Sequence, residues 1–194
     1  MTITAAQATG HRQGTFRHEA FFYEDDAAYL DEVAAFVRDG LEAGEPTMVV
    51  LGGPKLTALR SELGGDVAGL VMADMAEVGA NPARIIPAWR RFVDRAGGRG
   101  VHVRGVGEPI SSGRSPAELV ESQLHEALLN VAFNAAGDFT LLCPYDAARM
   151  GDEVVDEARR SHAFLRAGVV SGPCAEFDAE ASVATLLEAP LPEP

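Results

Sequence analysis

The sequence predicts one α/β domain, a three-layer α/β/α sandwich with a mainly parallel central sheet. Three observations carry that expectation. Short apolar runs of strand length alternate with longer segments whose apolar residues recur at helical spacing. Gly and Pro fall between these segments as punctuation. The chain has 194 residues, 47% of them hydrophobic, enough for one buried core. An alternation of strands and helices pairs its strands in parallel through right-handed crossovers.

Taken in order, Met1 to Gly14 reads as a flexible tail and Phe16 to Tyr23 as the apolar opening segment of the domain. Asp25 or Asp26 caps the next helix, where Tyr29, Val33, Phe36, Val37 and Leu41 recur at helical spacing and Gly40 and Gly44 mark the end. Thr47 to Leu51 is a short buried strand and Gly52-Gly53-Pro54 a turn. Lys55 to Leu63 forms a helix stopped by Gly64-Gly65, and Leu70 to Met72 a third strand. Asn81-Pro82 opens a helix carrying Ile85, Ile86, Trp89, Phe92 and Val93, with Pro87 in its first turns. Val101 to Val106 is the next strand, Ser115-Pro116 a helix start with Pro at the first helical position, and Phe139 to Cys143 the strand after it. Gly151 to His162 gives another helix, and Val169 to Phe177 adds an edge strand. The domain therefore spans 15–178, with a C-terminal helix and Pro-rich linker over 179–194. Ala189 to Pro194 looks like the start of a junction, as in a chain cut from a longer protein.

The formal charge of −13 repels phosphate backbones and anionic lipid heads, so neither nucleic acid nor a membrane surface is an expected partner. No window has the uninterrupted apolar length of a membrane span, and the polar start lacks the order of a signal peptide. A cytoplasmic location is expected. Cys143 and Cys174 form neither a disulfide framework nor a Cys-x-x-Cys metal pair, and Cys143, ending an apolar strand, reads as a packed thiol.

Ligands of open α/β sheets bind outside the carboxyl ends of the strands. Gly105-Val106-Gly107-Glu108-Pro109 and Leu142-Cys143-Pro144-Tyr145-Asp146 end predicted strands, with Leu124-His125-Glu126-Ala127-Leu128-Leu129-Asn130 between them; together they suggest one pocket. A phosphate-binding loop after Thr47 to Leu51 needs Gly-x-x-x-x-Gly-Lys-Ser/Thr. Gly52-Gly53-Pro54-Lys55-Leu56 is too short, and Leu56 replaces the hydroxyl. Lys55 is the only lysine, which a genome favouring Arg explains as well as function does.

On the helix from Ser115, Val120, Leu124, Ala127, Leu128 and Val131 share the face expected to pack on the sheet. Glu118, Glu121 and His125 line one border, with Glu126 and Asn130 on the other side. His125-Glu126 lacks the second histidine of a zinc-protease helix, since position 129 is Leu129. A scattered metal site from His18, His125, His162 and Cys143 stays open, but distant single histidines are more often satisfied core or surface residues, and neither a metal nor a cofactor is expected. Cys143 precedes Pro144 with nothing to activate it, and no Gly-x-Ser-x-Gly elbow exists, so no catalytic residue is assigned. Glu108 and Asp146 can form an acid/base pair only if their strands are neighbours.

Several ordered motifs together resemble the MEDS sensory domain over about residues 16 to 170. They are His18-Glu19-Ala20-Phe21-Phe22-Tyr23, Asn81-Pro82-Ala83-Arg84-Ile85-Ile86-Pro87-Ala88-Trp89-Arg90, Gly105 to Ile110 with Gly113-Arg114, His125 to Asn130, Leu142 to Asp146, and Ala158-Arg159-Arg160-Ser161-His162. The resemblance implies a RecA-like, KaiC-related fold that has lost its phosphate-binding loop. It also implies a sensor that often precedes a histidine-kinase-like ATPase domain of the anti-sigma-factor type. Relatives are proposed to sense small hydrocarbon derivatives. Ser111-Ser112 departs from the bulky aromatic expected near that loop.

The expected function is therefore signal sensing: a small-molecule ligand binds at the strand ends and controls a kinase-like or anti-sigma output module. Glu108 and Arg114 would hold polar ligand groups, His125 and Asn130 would hydrogen-bond from the helix, and Tyr145 with Asp146 would close the rim. His18 and Tyr23 would contribute from the opening segment, and His162 either joins them or complements a helix dipole. Two other classes stay open. One is an enzyme, a residual nucleotide hydrolase or a small hydrolase using Glu108 and His125. The other is an interaction module that forms a homodimer through apolar helix faces.

Overall fold

A computed structural model describes residues 15–65, 67–96, 100–111, 113–134, 138–168 and 170–188. The expected tail, the Pro-rich end and Ser112 lie outside the described residues. The elements are β1 (Phe16–Tyr23), α1 (Asp26–Glu42), β2 (Thr47–Leu51), α2 (Gly53–Glu62), β3 (Leu70–Asp74), α3 (Met75–Val78) and α4 (Ile85–Ala96), the last preceded by a 3-10 turn at Pro82–Arg84. Then come β4 (Val103–Gly107), α5 (Pro116–Phe133), β5 (Phe139–Asp146), α6 (Asp152–Ser161), β6 (Phe164–Ala167), β7 (Val170–Pro173) and α7 (Ala179–Glu188). Local chemistry sets the starts. The Asp25 carboxylate accepts from the N–H groups of Ala27 and Ala28, and Ser115 and Glu118 form a reciprocal capping box.

One seven-stranded sheet has the order β3-β2-β4-β5-β1-β6-β7. Strands β1 to β6 pair in parallel and β7 returns antiparallel to β6. The three-layer α/β/α sandwich is thus the fold. The expected edge strand contains β7, whereas β6 was not anticipated, because Phe-Leu-Arg-Ala is too short for an alternation to register.

Successive side chains of a strand point to opposite faces, and the two faces have separate cores. On one, Phe21, Val49, Leu51, Val106 and Leu142 pack under Val33, Phe36 and Val37 of α1 and Leu59 of α2. On the other, Ala20, Val50, Leu141 and Cys143 pack with Trp89 of α4, Leu129 and Phe133 of α5 and Ala158 of α6. Gly105 and Gly107 in β4 make room for that second core. A Cβ on Gly105 would sit 2.8 Å from Trp89 and 2.9 Å from Leu141, and one on Gly107 would sit 3.1 Å from Trp89. The strand is bare there so that the indole can rest on it.

The expected inward face of α5 is corrected. Val131 is 66% exposed, whereas Ser122, His125, Glu126, Ala127, Leu129 and Phe133 are buried. The helix is turned so that polar side chains enter the core, and α6 and α7 cover more of it. Among the described residues no helix is long and apolar enough to cross a membrane.

Candidate functional site

The site begins with the crossovers. The helix after β2 lies on one face of the sheet and the helix after the neighbouring β4 on the other. The same divergence recurs between β1, followed by α1, and β5, followed by α6. Each divergence leaves a crevice at the carboxyl ends of the strands. A cleft of about 590 Å³ lies there, lined by Tyr23, Lys55, Glu108, Arg114, Asp146 and Arg149 among others. That volume suits a small molecule.

Lys55 sits in the first turn of α2, where a phosphate-binding loop would deliver its lysine, and reaches across the strand ends. Its Nζ donates to Tyr23 Oη at 2.5 Å and to Glu108 Oε1. It also lies 4.9 Å and 4.2 Å from the ring centroids of Tyr23 and Tyr29. Tyr23 Oη donates to the same Glu108 oxygen at 3.1 Å. Glu108 leaves β4 with its N–H bonded to Val50 O, which fixes the carboxylate under the cleft. Burial raises its pKa, and Lys55 and Tyr23 oppose that rise without cancelling it. Burial and then the Glu108 charge push the Tyr23 phenol up, so it stays a donor. At the rim, Arg114 donates to Pro109 O and Arg149 Nη1 donates to Asp146 at 2.5 Å. Glu108 and Asp146 do leave neighbouring strands, β4 and β5.

A second polar cluster lies beneath the α5 and α6 layer. His18 of β1, Glu126 of α5, Cys143 of β5 and His162 after α6 are all buried, with one ligating atom of each within 4.8 Å of the others. His18 Nε2 is 3.1 Å from Glu126 Oε2 and 3.4 Å from Cys143 Sγ. His162 Nε2 is also 3.1 Å from Glu126 Oε2, outside hydrogen-bonding geometry. Burial, followed by the neighbouring His162, lowers the His18 pKa to about 4. Burial works to raise that of Glu126, but His162 and His18 outweigh it and hold the carboxyl well below its usual range. Burial and then Glu126 push the Cys143 thiol up.

The structure therefore divides the nine expected residues, and they do not form one pocket. Tyr23, Glu108, Arg114 and Asp146 line the cleft. His18 and His162 belong to the buried cluster, with the Tyr145 ring edge-on to His162 at 5.4 Å and Asn130 Nδ2 donating to Ser161 O at 2.7 Å. His125 stands apart, beside Asn81, Ile86 and Leu124 in a separate groove. Tyr145 does not close the rim, because in β5 it alternates with Asp146 and faces the α5 side.

The family model for MEDS, the MEthanogen/methylotroph, DcmR Sensory domain, matches residues 17–163. The chain belongs to the MEDS family. A comparison with curated proteins finds no match. The MEDS match runs from β1 through His162 and so contains both polar clusters, and it makes this chain a sensory domain. Sequence reasoning weighed Lys55, Glu126 and Cys143 without assigning them to the site, and it did not single out Arg149. Lys55 had a usable signal, a lone cation in the first turn after a strand that should end at a ligand site. Glu126 had none, since its meeting with Cys143 and the two histidines depends on strand order.

Proposed function

We propose that this domain senses a small polar molecule held in the cleft, and that its occupancy controls a kinase-like or anti-sigma output module. The observation that carries the reading is the buried Glu108 carboxylate, held by Lys55 and Tyr23 at the floor of a cleft at the strand ends. A ligand donor can replace Lys55 or Tyr23 on Glu108, and a ligand anion can draw Lys55 away from it. The exchange shifts α2 against β1 and β4, because Lys55 is the polar tie that joins α2 to Tyr23 and Glu108. That is a differential contact of the kind a sensor requires.

The test is a thermal-shift and calorimetric screen of the purified chain with short alcohols, aldehydes, amines, carboxylates and ATP. A hit that raises the melting temperature in the wild type and is lost in Glu108→Gln and Arg114→Ala supports the reading. Turnover of ATP or an ester, lost in Glu108→Gln, would replace it with the enzyme reading. A concentration-dependent dimer with no response to any compound would favour the interaction module.

A further inference from the structure

We propose that His18, Glu126, Cys143 and His162 form a binding site for a divalent transition-metal ion of zinc-like preference. Two imidazoles, one thiolate and one carboxylate make a borderline donor set that suits zinc and its first-row neighbours. All four are protein donors and all are buried, which describes a closed structural site rather than one open to substrate. Metal bonds of about 2.0–2.3 Å at tetrahedral angles place donor atoms about 3.3–3.6 Å apart. Here His18 and His162 each lie 3.1 Å from the same Glu126 oxygen, and His18 lies 3.4 Å from the sulfur. Small rotations of these side chains would open a central position. This departs from the metal-free expectation of the sequence, which saw the donors only as scattered single residues.

The tautomer of His162 is the deciding detail. Its Nδ1 is 2.7 Å from Ala158 O, and a carbonyl can only accept, so Nδ1 carries the hydrogen. Nε2 is then the ring nitrogen left to ligate, and it lies 3.1 Å from a carboxylate oxygen at an angle outside hydrogen-bonding geometry. A metal ion between these two atoms would bond to both. A backbone carbonyl fixing one ring nitrogen so that the other can ligate is the usual outer-shell arrangement at metal sites. His18 Nδ1 and Glu126 Oε1 also lack hydrogen-bond partners. A dication would balance the charges of a Cys143 thiolate and the Glu126 carboxylate, which a buried position otherwise disfavours. It would join β1, β5, α5 and the α6–β6 junction at one point.

The experiment titrates the chelator-treated full chain with Co(II) and with Zn(II). The expected result is one ion per chain, a cobalt–thiolate charge-transfer absorption displaced by zinc, and a melting temperature that rises with either metal. The absorption should vanish in Cys143→Ser and persist in Cys174→Ser, since Cys174 lies outside the cluster with its Sγ on Arg159 O. If Cys143→Ser does not fold, the wild-type stoichiometry and thermal shift still decide. A folded wild-type chain with neither absorption nor thermal shift at a large excess of both metals overturns the proposal. An absorption lost in Cys174→Ser instead overturns it too.

Discussion

Replacing Lys55 by Met should destabilise the domain by an amount that grows with pH. The Glu108 side chain is 5% exposed and the Lys55 side chain 29%. Unit charges about 4 Å apart attract by about 4 kcal/mol at an effective dielectric of about 20. Because the ammonium is partly in water, roughly half of that, about 2 kcal/mol, is the share to expect here. The contacts of Lys55 with the Tyr23 and Tyr29 rings add about 0.5–1 kcal/mol that does not depend on pH. In the variant, burial still raises the Glu108 pKa and no cation opposes it. A carboxyl with a raised folded pKa gives stability that is whole below its unfolded pKa and lost as pH rises through the folded value. The loss should therefore be about 1 kcal/mol at acid pH, where Glu108 is protonated, and should grow to about 3 kcal/mol as the pH climbs above its raised folded pKa. Urea unfolding at several pH values measures it, and the histidines cancel in the difference between variant and wild type. In a Glu108→Gln background the same change should cost about 1 kcal/mol at every pH. A loss that is flat with pH in the wild-type background, or equally steep with Gln at 108, refutes the reasoning.

Gly105→Ala should cost about 1–3 kcal/mol, since its Cβ would press on Trp89 and Leu141 in a filled core; Gly113→Ala, which meets nothing, is the control in the same denaturation series. Ser115→Ala removes one half of the capping box of α5 and should lower stability by about 0.5–2 kcal/mol. Val131→Gln should change stability by no more than about 0.5 kcal/mol, while Leu129→Ala on the opposite side of the helix should cost about 2–5 kcal/mol. The reverse order would mean that α5 faces the sheet as its hydrophobic pattern alone suggests.

The alternation of strands and helices was legible because each signal is local. The Asp25 cap, the Pro116 start and the apolar runs of β2 and β5 depend on neighbours in sequence, and the structure keeps them. Strand order is not local. Nothing near Phe16 or Phe139 in the sequence says that β1 and β5 pair along eight residues. That pairing sets His18 opposite Leu141 and, two residues on, Ala20 opposite Cys143, which brings the imidazole and the thiol to one face. Half the cleft was readable for the opposite reason, because a polar residue just past a strand end points to the carboxyl edge whatever the strand order. Glu108 and Asp146 were found that way.

The misreading of α5 follows from the premise that a helix on a sheet buries its most apolar stripe. Its sequence offers Val120, Leu124, Ala127, Leu128 and Val131 as that stripe, and the structure buries Ala127 but exposes Val131 while taking in Ser122, His125 and Glu126. Burying a carboxylate costs free energy unless it is paired, so the turn of the helix needs a compensation from outside it. His18 and His162, on two other elements, meet Glu126 on the inner side. Polar groups that a helix has no local reason to bury are held there by partners remote in sequence. Where the periodicity of a helix and its observed burial disagree by this much, the residues on the wrong side mark a site rather than an error of packing.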